Sequence, residues 1–422
     1  MRRYESYKDS GVEWLGEVPS HWNLIPNKYI FKLRKNVVGK RSSEYDLLSL
    51  SLKGVIKRDM ENPEGKFPAE FDTYQEVKEG DFIFCLFDVE ETPRTVGLSS
   101  YHGMITGAYT IFETNNVDKK FIYYFYLNLD SNKRLKPLYK GLRNTISKET
   151  FFSFNTFIPP LSEQQKIAQF LDDKTAKIDQ AVDLAEKQIA LLKEHKQILI
   201  QNAVTRGLNP DVPLKDSGVE WIGQVPDHWE VSSLGKMLLP VSEKNKPNLP
   251  LLSITRELGV IERDVEDQES NHNFIPDDLS NYKVLKEGQF GMNKMKAWQG
   301  SYGVSRFTGI VSPAYYIFDF IKSVNSRFFH WAIRSKIYIS FFGSASDGVR
   351  IGQWDLSKSR MKSIPFIIPS YTEQVKIADY LDQQAVKIDQ AIALKTAHIE
   401  KLKEYKSVLI NDVVTGKVRV SV

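Results

Sequence analysis

Fifteen residues near the start of the chain, KDSGVEWLGEVPSHW from Lys8 to Trp22, return as KDSGVEWIGQVPDHW from Lys215 to Trp229, with twelve positions identical at an offset of 207. A second segment, SEQQKIAQFLDDKTAKIDQA from Ser162, returns without a gap as TEQVKIADYLDQQAVKIDQA from Thr372 at an offset of 210. Periods of this length lie far beyond those of solenoid repeats, so the chain reads as one set of parts written twice. Any fold for it must supply two copies of each part.

Each half divides into a short Trp-containing latch, a mixed region and a long helix: 1–22, 23–158 and 159–206, then 207–229, 230–368 and 369–416. In the first helix Leu171, Ile178, Ala185, Leu192 and Leu199 recur every seven residues, flanked by Val182, Ile189 and Ala203, which is the period of a coiled-coil seam. The second helix carries Leu381, Ile388, Lys395, Leu402 and Leu409, flanked by Ile392, Ile399 and Val413. Lys395 interrupts this seam, either to set register, as one polar residue can, or by snorkelling to solvent. Ser162 and Thr372 are N-cap candidates, and Gln165 would complete a capping box with Ser162.

The mixed regions alternate short β-rich runs such as DFIFCLF and AYYIFDF with Gly, Pro and Asn turns, the pattern of α+β domains. Gly80, Gly97, Gly103 and Ala108-Tyr109 have counterparts in Gly288, Gly303, Gly309 and Ala314-Tyr315, yet between these markers DVEETPRTV stands against KMKAWQGSY. Two similar scaffolds thus hold different loops. A forty-residue helix spans about 60 Å and carries the chain away from the first mixed region. A second helix paired along the seven-residue seam must run back antiparallel and return the C-terminus to that region. The fold expected is therefore α+β, with two similar domains separated by two long helices that pair as an antiparallel coiled coil. It is a pseudo-twofold tandem repeat in which each latch sits at the end of the other half's helix.

The chain has 422 residues, 41% of them hydrophobic, enough for a core in each half. No run of eighteen apolar residues occurs and MRRYESYKDSG has no apolar stretch of the signal-peptide kind, which points to the cytoplasm and away from membranes. Cys85, the lone cysteine, lies in the apolar run FIFCLF and is expected to be a buried structural thiol. The sequence contains no phosphate-cradling G-x-x-x-x-G-K-[ST] loop and no glycine-rich loop of the dinucleotide or methyl-donor type. SPAY at Ser312–Tyr315 lacks the second proline of Asn-Pro-Pro-Tyr and is read as strand. His21 and His228 recur in the latches without a neighbouring Cys, Ser or carboxylate cluster, which leaves them packing or hydrogen bonding. Asp277, Asp278 and Glu287 have no counterpart in the first half and read as a solvated acidic turn. No catalytic residue, metal ligand or cofactor is assigned.

The net charge is +4, and because the two long helices are nearly neutral the positive excess falls on the other regions, which favours the mixed regions as nucleic-acid binders. In the second, Lys294, Lys296, Trp298, Gln299 and Arg306 set basic and amide groups beside an aromatic ring. In the first, Lys53, Lys57, Arg58 and Arg94 are the sparser equivalent. Arg58-Asp59 matches Arg263-Asp264, and Gly141-Leu142-Arg143 matches Gly348-Val349-Arg350. Shared arginines could grip phosphates while unshared loop residues read bases, and the competing reading pairs each arginine with a local carboxylate. Leu184, Leu191 and Ile198 add a second seven-residue stripe that one antiparallel neighbour does not cover. Either a further partner or the mixed regions folded back would cover it.

The two helix openings, EQQKIAQFLD at Glu163 and EQVKIADYLD at Glu373, the endings LKEHKQILIQNAVTRG and LKEYKSVLINDVVTGK, and the GVEWxGxVPxHW latches together resemble the specificity subunit of type I restriction-modification systems, over the whole chain. The resemblance implies two target-recognition domains, each reading one half of a bipartite double-stranded DNA site, and a coiled coil that sets their spacing. It also implies no catalysis by this chain. Two methyltransferase subunits binding S-adenosylmethionine, and ATP- and Mg-dependent restriction subunits, would supply the chemistry, with the methyltransferase helices covering the Leu184 stripe. The recognition loops are the family's variable part, so the resemblance carries over no base-contacting position. A coiled-coil protein that bridges DNA without sequence preference is the alternative, and it would have little use for two different sets of loops.

Overall fold

The computed structural model describes residues 2–60, 70–139, 144–264, 275–321, 323–350 and 353–420, the side chains of residues 349, 350 and 353 excepted. Its α-helices are, in chain order, α1 (Lys119–Ser131), α2 (Lys148–Ser153), α3 (Leu161–Arg206), α4 (Ser326–Ile333), α5 (Lys336–Ser344), α6 (Lys358–Ser363) and α7 (Tyr371–Val414). Contacts divide the chain into two units, Met1–Ala185 with Ala397–Val422, and Glu186–Thr396. Each unit therefore owns one latch, one mixed region, the start of its own long helix and the end of the other.

In the first unit the latch is a hairpin of Tyr7–Asp9 on Glu17–Pro19. The mixed region centres on a four-stranded antiparallel sheet in the order Phe31–Arg34, Thr110–Thr114, Phe82–Phe84, Val96–Leu98. Around it lie the hairpin Leu48–Ser51/Gly54–Lys57 and the pairs Gln75–Val77/Gly103–Ile105 and Asn23–Pro26/Asn155–Ile158. The strands are short because alternate apolar residues must reach the core while Gly and Asn turn the chain between them. Asp118 caps α1 by accepting from the Phe121 N–H at 2.9 Å, and Ser147 caps α2 from Thr150 at 3.1 Å. At the centre the Phe31 ring packs within 5.7 Å of the rings of Phe82, Phe84, Phe112, Tyr126 and Phe151.

The second unit repeats the plan. Its latch is Leu214–Asp216 on Gln224–Pro226, and its sheet runs Leu238–Val241, Tyr315–Phe320, Phe290–Asn293, Tyr302–Val304. The accessory hairpin is Leu252–Thr255/Gly259–Glu262, and the accessory pairs are Lys283–Leu285/Gly309–Val311 and Glu230–Ser233/Pro365–Ile368. It adds α5 and the hairpin Ser346–Arg350/Gln353–Leu356, which have no counterpart among the described residues of the first unit.

Inside each unit the two long helices pair antiparallel. In the first, Lys406 Nζ reaches Asp179 at 2.6 Å; in the second, Lys196 Nζ reaches Asp389 at 2.7 Å. Leu171, Ile178, Leu381, Ile388 and Leu409 are buried, while Leu192, Leu199 and Leu402 are half-buried along the same seam. Lys395 stays in the seam and donates to Gln188 Oε1 at 2.6 Å. The helix starts differ from the expectation. α3 begins at Leu161, so Ser162 lies within its first turn rather than at its cap, because the Pro160 carbonyl already accepts from the Glu163 and Gln164 N–H groups. In α7 the cap is Ser370 instead of Thr372: its Oγ accepts from the Glu373 N–H at 3.3 Å and its own N–H donates to Glu373 Oε2 at 3.2 Å, which is a capping box. Tyr315 opens a strand as read, whereas Ser312–Ala314 form the turn before it. Cys85 is buried, and burial pushes its thiol pKa up.

Candidate functional site

The repeated latches meet the repeated helix openings. Glu163, in the first turn of α3, accepts from Trp22 Nε1 at 3.2 Å and from Tyr4 Oη at 2.6 Å, and pairs with His21 Nε2 at 2.7 Å. Glu373 in α7 accepts from Trp229 Nε1 at 3.2 Å and pairs with His228 Nε2 at 2.9 Å. Both tryptophans are buried, and each also packs on the glycine ending a long helix: Trp22 on Gly416 and Trp229 on Gly207. The latch is thus a junction that ties the beginning of one long helix to the end of the other. His21 and His228 are hydrogen-bonding residues of this junction.

The sequence-derived binding residues fall into three groups. Lys53 stands exposed on the turn of the hairpin Leu48–Ser51/Gly54–Lys57, and Lys57 at its end pairs with Asp46 at 2.5 Å and lies 5.4 Å from the Tyr101 ring centre. Arg58 follows that hairpin, its N–H donating to the Leu47 carbonyl at 2.8 Å, and Arg263 repeats the arrangement on Leu251 at 2.8 Å. Lys294, Lys296, Trp298 and Gln299 share the segment after the strand Phe290–Asn293. Lys296 is exposed there, Lys294 pairs with Asp355 at 3.1 Å, and the Trp298 ring stacks on Trp354 at 5.2 Å. These four are brought together.

Arg306 is not brought to them. The antiparallel register sets Phe290 opposite Val304 and Met292 opposite Tyr302, so Arg306 and Lys294 leave opposite ends of the sheet. Arg94 is turned inward: it is 17% exposed, donates from Nη2 to the Leu52 carbonyl at 3.0 Å and lies 4.0 Å from buried Asp130. An arginine that holds a turn in this way does not present its fork to a base edge. Arg143 lies outside the described residues, as does the side chain of Arg350.

Arg334, which sequence reasoning missed, does for the second unit what Arg94 does for the first. Its Nη1 donates to the Tyr302 carbonyl at 2.6 Å, and its Nη2 donates to the carbonyls of Arg256 at 2.9 Å and Glu257 at 2.7 Å. Those two residues form the turn of the second unit's accessory hairpin. No local sequence signal marks it, since the turn lies 77 residues away.

Leu184, Leu191 and Ile198 are 57%, 63% and 51% exposed, so nothing among the described residues covers them. They immediately precede the seam residues Ala185, Leu192 and Leu199, and exposed Leu394 and Val408 likewise precede Lys395 and Leu409 in α7. Asp179 and Asp389, the ion-paired residues, immediately follow seam residues and so lie on the other flank. In each unit one flank of the helix pair is apolar and open while the other is salt-bridged. Among the described residues no group of three or more His, Cys, Asp or Glu side chains could hold a metal, and Asp277 and Asp278 are exposed, Asp278 accepting from the Ser280 N–H at 2.8 Å.

Residues 104–193 match the family model described as the type I restriction modification DNA specificity domain. The chain is 24% identical to the putative type I restriction enzyme MjaX specificity subunit of Methanocaldococcus jannaschii, over 99% of this chain and 97% of that protein. It is 25% identical to the type I restriction enzyme MjaVIII specificity subunit of the same organism, over 75% of each. Two solved structures share the fold at 12% identity. One is a chain from work on complex assembly and conformational transition of the type I restriction-modification system (TM-score 0.63, 95% of this chain and 99% of that one). The other is the HsdS subunit of Thermoanaerobacter tengcongensis (TM-score 0.51, 95% and 98%). Two latches, two sheets of one topology and two paired long helices accompany a similarity to type I restriction enzyme specificity subunits that runs along nearly the whole length of one such relative.

Proposed function

We propose that this chain is the non-catalytic DNA-binding subunit that directs a type I restriction-modification complex to an asymmetric bipartite site. Each mixed region reads one half-site, and the long helices set the spacing between the halves. The observation that carries this reading is the same scaffold bearing different loops. In the first unit the segment before Val96–Leu98 is drawn inward by Arg94 and Asp130, whereas the equivalent stretch of the second presents Lys294, Lys296 and the stacked Trp298. Different donors and acceptors at equivalent places read different bases in the major groove.

Two methyltransferase subunits carrying S-adenosylmethionine occupy the open apolar flank of the helix pairs, and restriction subunits bring ATP and Mg, all in the cytoplasm. Apolar side chains at seven-residue spacing suit a partner helix rather than DNA. The test is to map methylated bases in cells with and without the chain. A bipartite asymmetric motif whose methylation vanishes on deletion is the expected result, and replacing residues 230–368 with those of another family member should change one half of it only. Methylation unaltered by deletion, or a palindromic motif, would overturn the reading.

A further inference from the structure

The sheet of the second unit ends in a group of lysines that has no counterpart among the described residues of the first unit. Lys244 and Lys283 face each other across an antiparallel bridge, and Lys283 Nζ donates to the Tyr315 carbonyl at 2.6 Å. Tyr315 is the sheet partner of Asn293, which Lys294 follows. Lys358, the first residue of α6, holds its Nζ 4.5 Å from the centre of the neighbouring Tyr316 ring. Burial, and after it the ammonium charges of Lys244, Lys358 and Lys294, hold the Lys283 pKa below the ordinary lysine range, so the other three charges bear on Lys283, that of Lys294 being also paired with Asp355 at 3.1 Å.

The first unit has the same framework without the charge. Val37 and Gln75 form the equivalent bridge, and Gln75 Nε2 donates to the Tyr109 carbonyl at 2.9 Å, the same bond that Lys283 makes. Phe82 pairs with Phe112 as Phe290 pairs with Phe318, which puts buried Leu86 where Lys294 stands. Only Lys358 has a basic equivalent, Lys148 at the start of α2. The architecture therefore needs a donor to the tyrosine carbonyl and a bridge, and neutral side chains supply both. Lysines at three of these positions add mutual repulsion and the desolvation of Lys283, costs that an arriving anion offsets. Lysine ammoniums are point charges suited to phosphate oxygens, and the duplex backbone brings a row of them.

We propose that Lys244, Lys283, Lys294 and Lys358 form a clamp for the DNA phosphate backbone that is peculiar to the second unit, so that one half-site is held electrostatically more firmly than the other. The proposal rests on the DNA-recognition reading above and adds which surface grips and on which side.

The test is fluorescence anisotropy of the full chain with a mixed-sequence duplex of about 40 base pairs, between about 50 and 200 mM salt, where the slope of log affinity against log salt counts phosphate contacts. The variant Lys244→Gln/Lys283→Gln/Lys294→Gln keeps the carbonyl bond through glutamine, as Gln75 does. Its slope should fall by about 0.9 per contact, or roughly 2 to 3 in all. A control with Lys177→Gln/Lys187→Gln/Lys193→Gln removes the same charge from exposed positions on α3 and should leave the slope nearly intact. Should the triple variant melt early, Lys244→Gln/Lys358→Gln, both exposed positions, replaces it with an expected loss of about 1 to 2 in slope. An unchanged slope in a folded clamp variant overturns the clamp and leaves the recognition reading standing, as does an equal loss in the control. A wild-type chain with no affinity for the duplex at low salt overturns both.

Discussion

The carboxylate of Glu373 accepts a hydrogen bond at 3.2 Å from the indole N–H of Trp229, 144 residues earlier in the chain, and Glu163 accepts from Trp22 at the same distance across 141. The duplicated latch thus exists to meet a duplicated glutamate. In the second junction the charges are poised. Burial works against the charge on Glu373, but hydrogen bonds from Ser370, His228 and Trp229 outweigh it and hold its pKa at about 2 against an ordinary 4.5. His228 is raised above its ordinary 6.5, chiefly by its hydrogen bond to Glu373. A lowered carboxyl stabilises the fold above its unfolded value and loses that contribution as pH falls toward 2. A raised imidazole stabilises it below 6.5 and loses that contribution as pH climbs through the raised value. The junction is therefore strongest between pH 4.5 and 6.5. Melting temperature should fall from about pH 6 to pH 9 more steeply for the wild type than for His228→Gln; parallel curves would remove the pair from the stability of the chain.

Arg334 holds its hairpin turn through carbonyls of Arg256, Glu257 and Tyr302, with a guanidinium that is mostly buried. Lysine cannot fork to three carbonyls, so Arg334→Lys should cost about 1 to 3 kcal/mol in denaturant unfolding. Amide exchange should rise locally over the hairpin turn, and a global rise without local excess would show that Arg334 supports the core rather than the turn.

Leu191 and Ile198 are open to solvent on the flank opposite the Lys196–Asp389 ion pair. Leu191→Asp with Ile198→Asp should leave folding within about 0.5 kcal/mol of wild type, since surface changes rarely exceed that. Recovery of the methyltransferase subunit in a pull-down should drop at least tenfold. Undiminished recovery by the folded variant would move the docking surface elsewhere.

The ends of the described chain are bonded. The Arg419 N–H donates to the Arg2 carbonyl at 2.8 Å, and Tyr7 Oη donates to the Gly416 carbonyl at 3.1 Å. Joining Val422 to Met1 through a short linker and opening the chain near exposed Pro210 should give a folded protein. Circular dichroism and a cooperative melt are the measurements, and a permutant that does not fold would show that the original chain order is required.

How much of this was legible in the sequence depended on the range of the interaction. The seam of Leu171 to Leu199 and the open stripe of Leu184 could be read because a helix converts a seven-residue spacing into a face. Frame glycines were equally plain: a side chain at Gly103 or Gly309 would run into the carbonyl of Asp46 or Pro250, so the residue repeats where the backbone repeats. His21 and His228 could be read as packing or hydrogen-bonding residues, but not which groups they meet, because Glu163 and Glu373 are distant in sequence. Arg94 and Arg306 were misplaced for the same reason. Buried Asp130 draws one inward, and an antiparallel turn sends the other to the far end of the sheet. Lys283 carries no sequence signal, because its bond to the Tyr315 carbonyl, like that of Gln75 to Tyr109, joins segments more than thirty residues apart.

The division of the chain into units has a consequence for its birth on the ribosome. The second unit is one unbroken stretch, Glu186–Thr396, whereas the first needs Met1–Ala185 and also Ala397–Val422. Val413 and Val414, near the end of α7, belong to the same buried cluster as Trp22, Phe31 and Leu171. The half that emerges first therefore waits, with one side of its core uncovered, until Ala397–Val422 leaves the exit tunnel. The half that emerges later can close first, and an interrupted translation product would contain a complete second domain and an unfinished first.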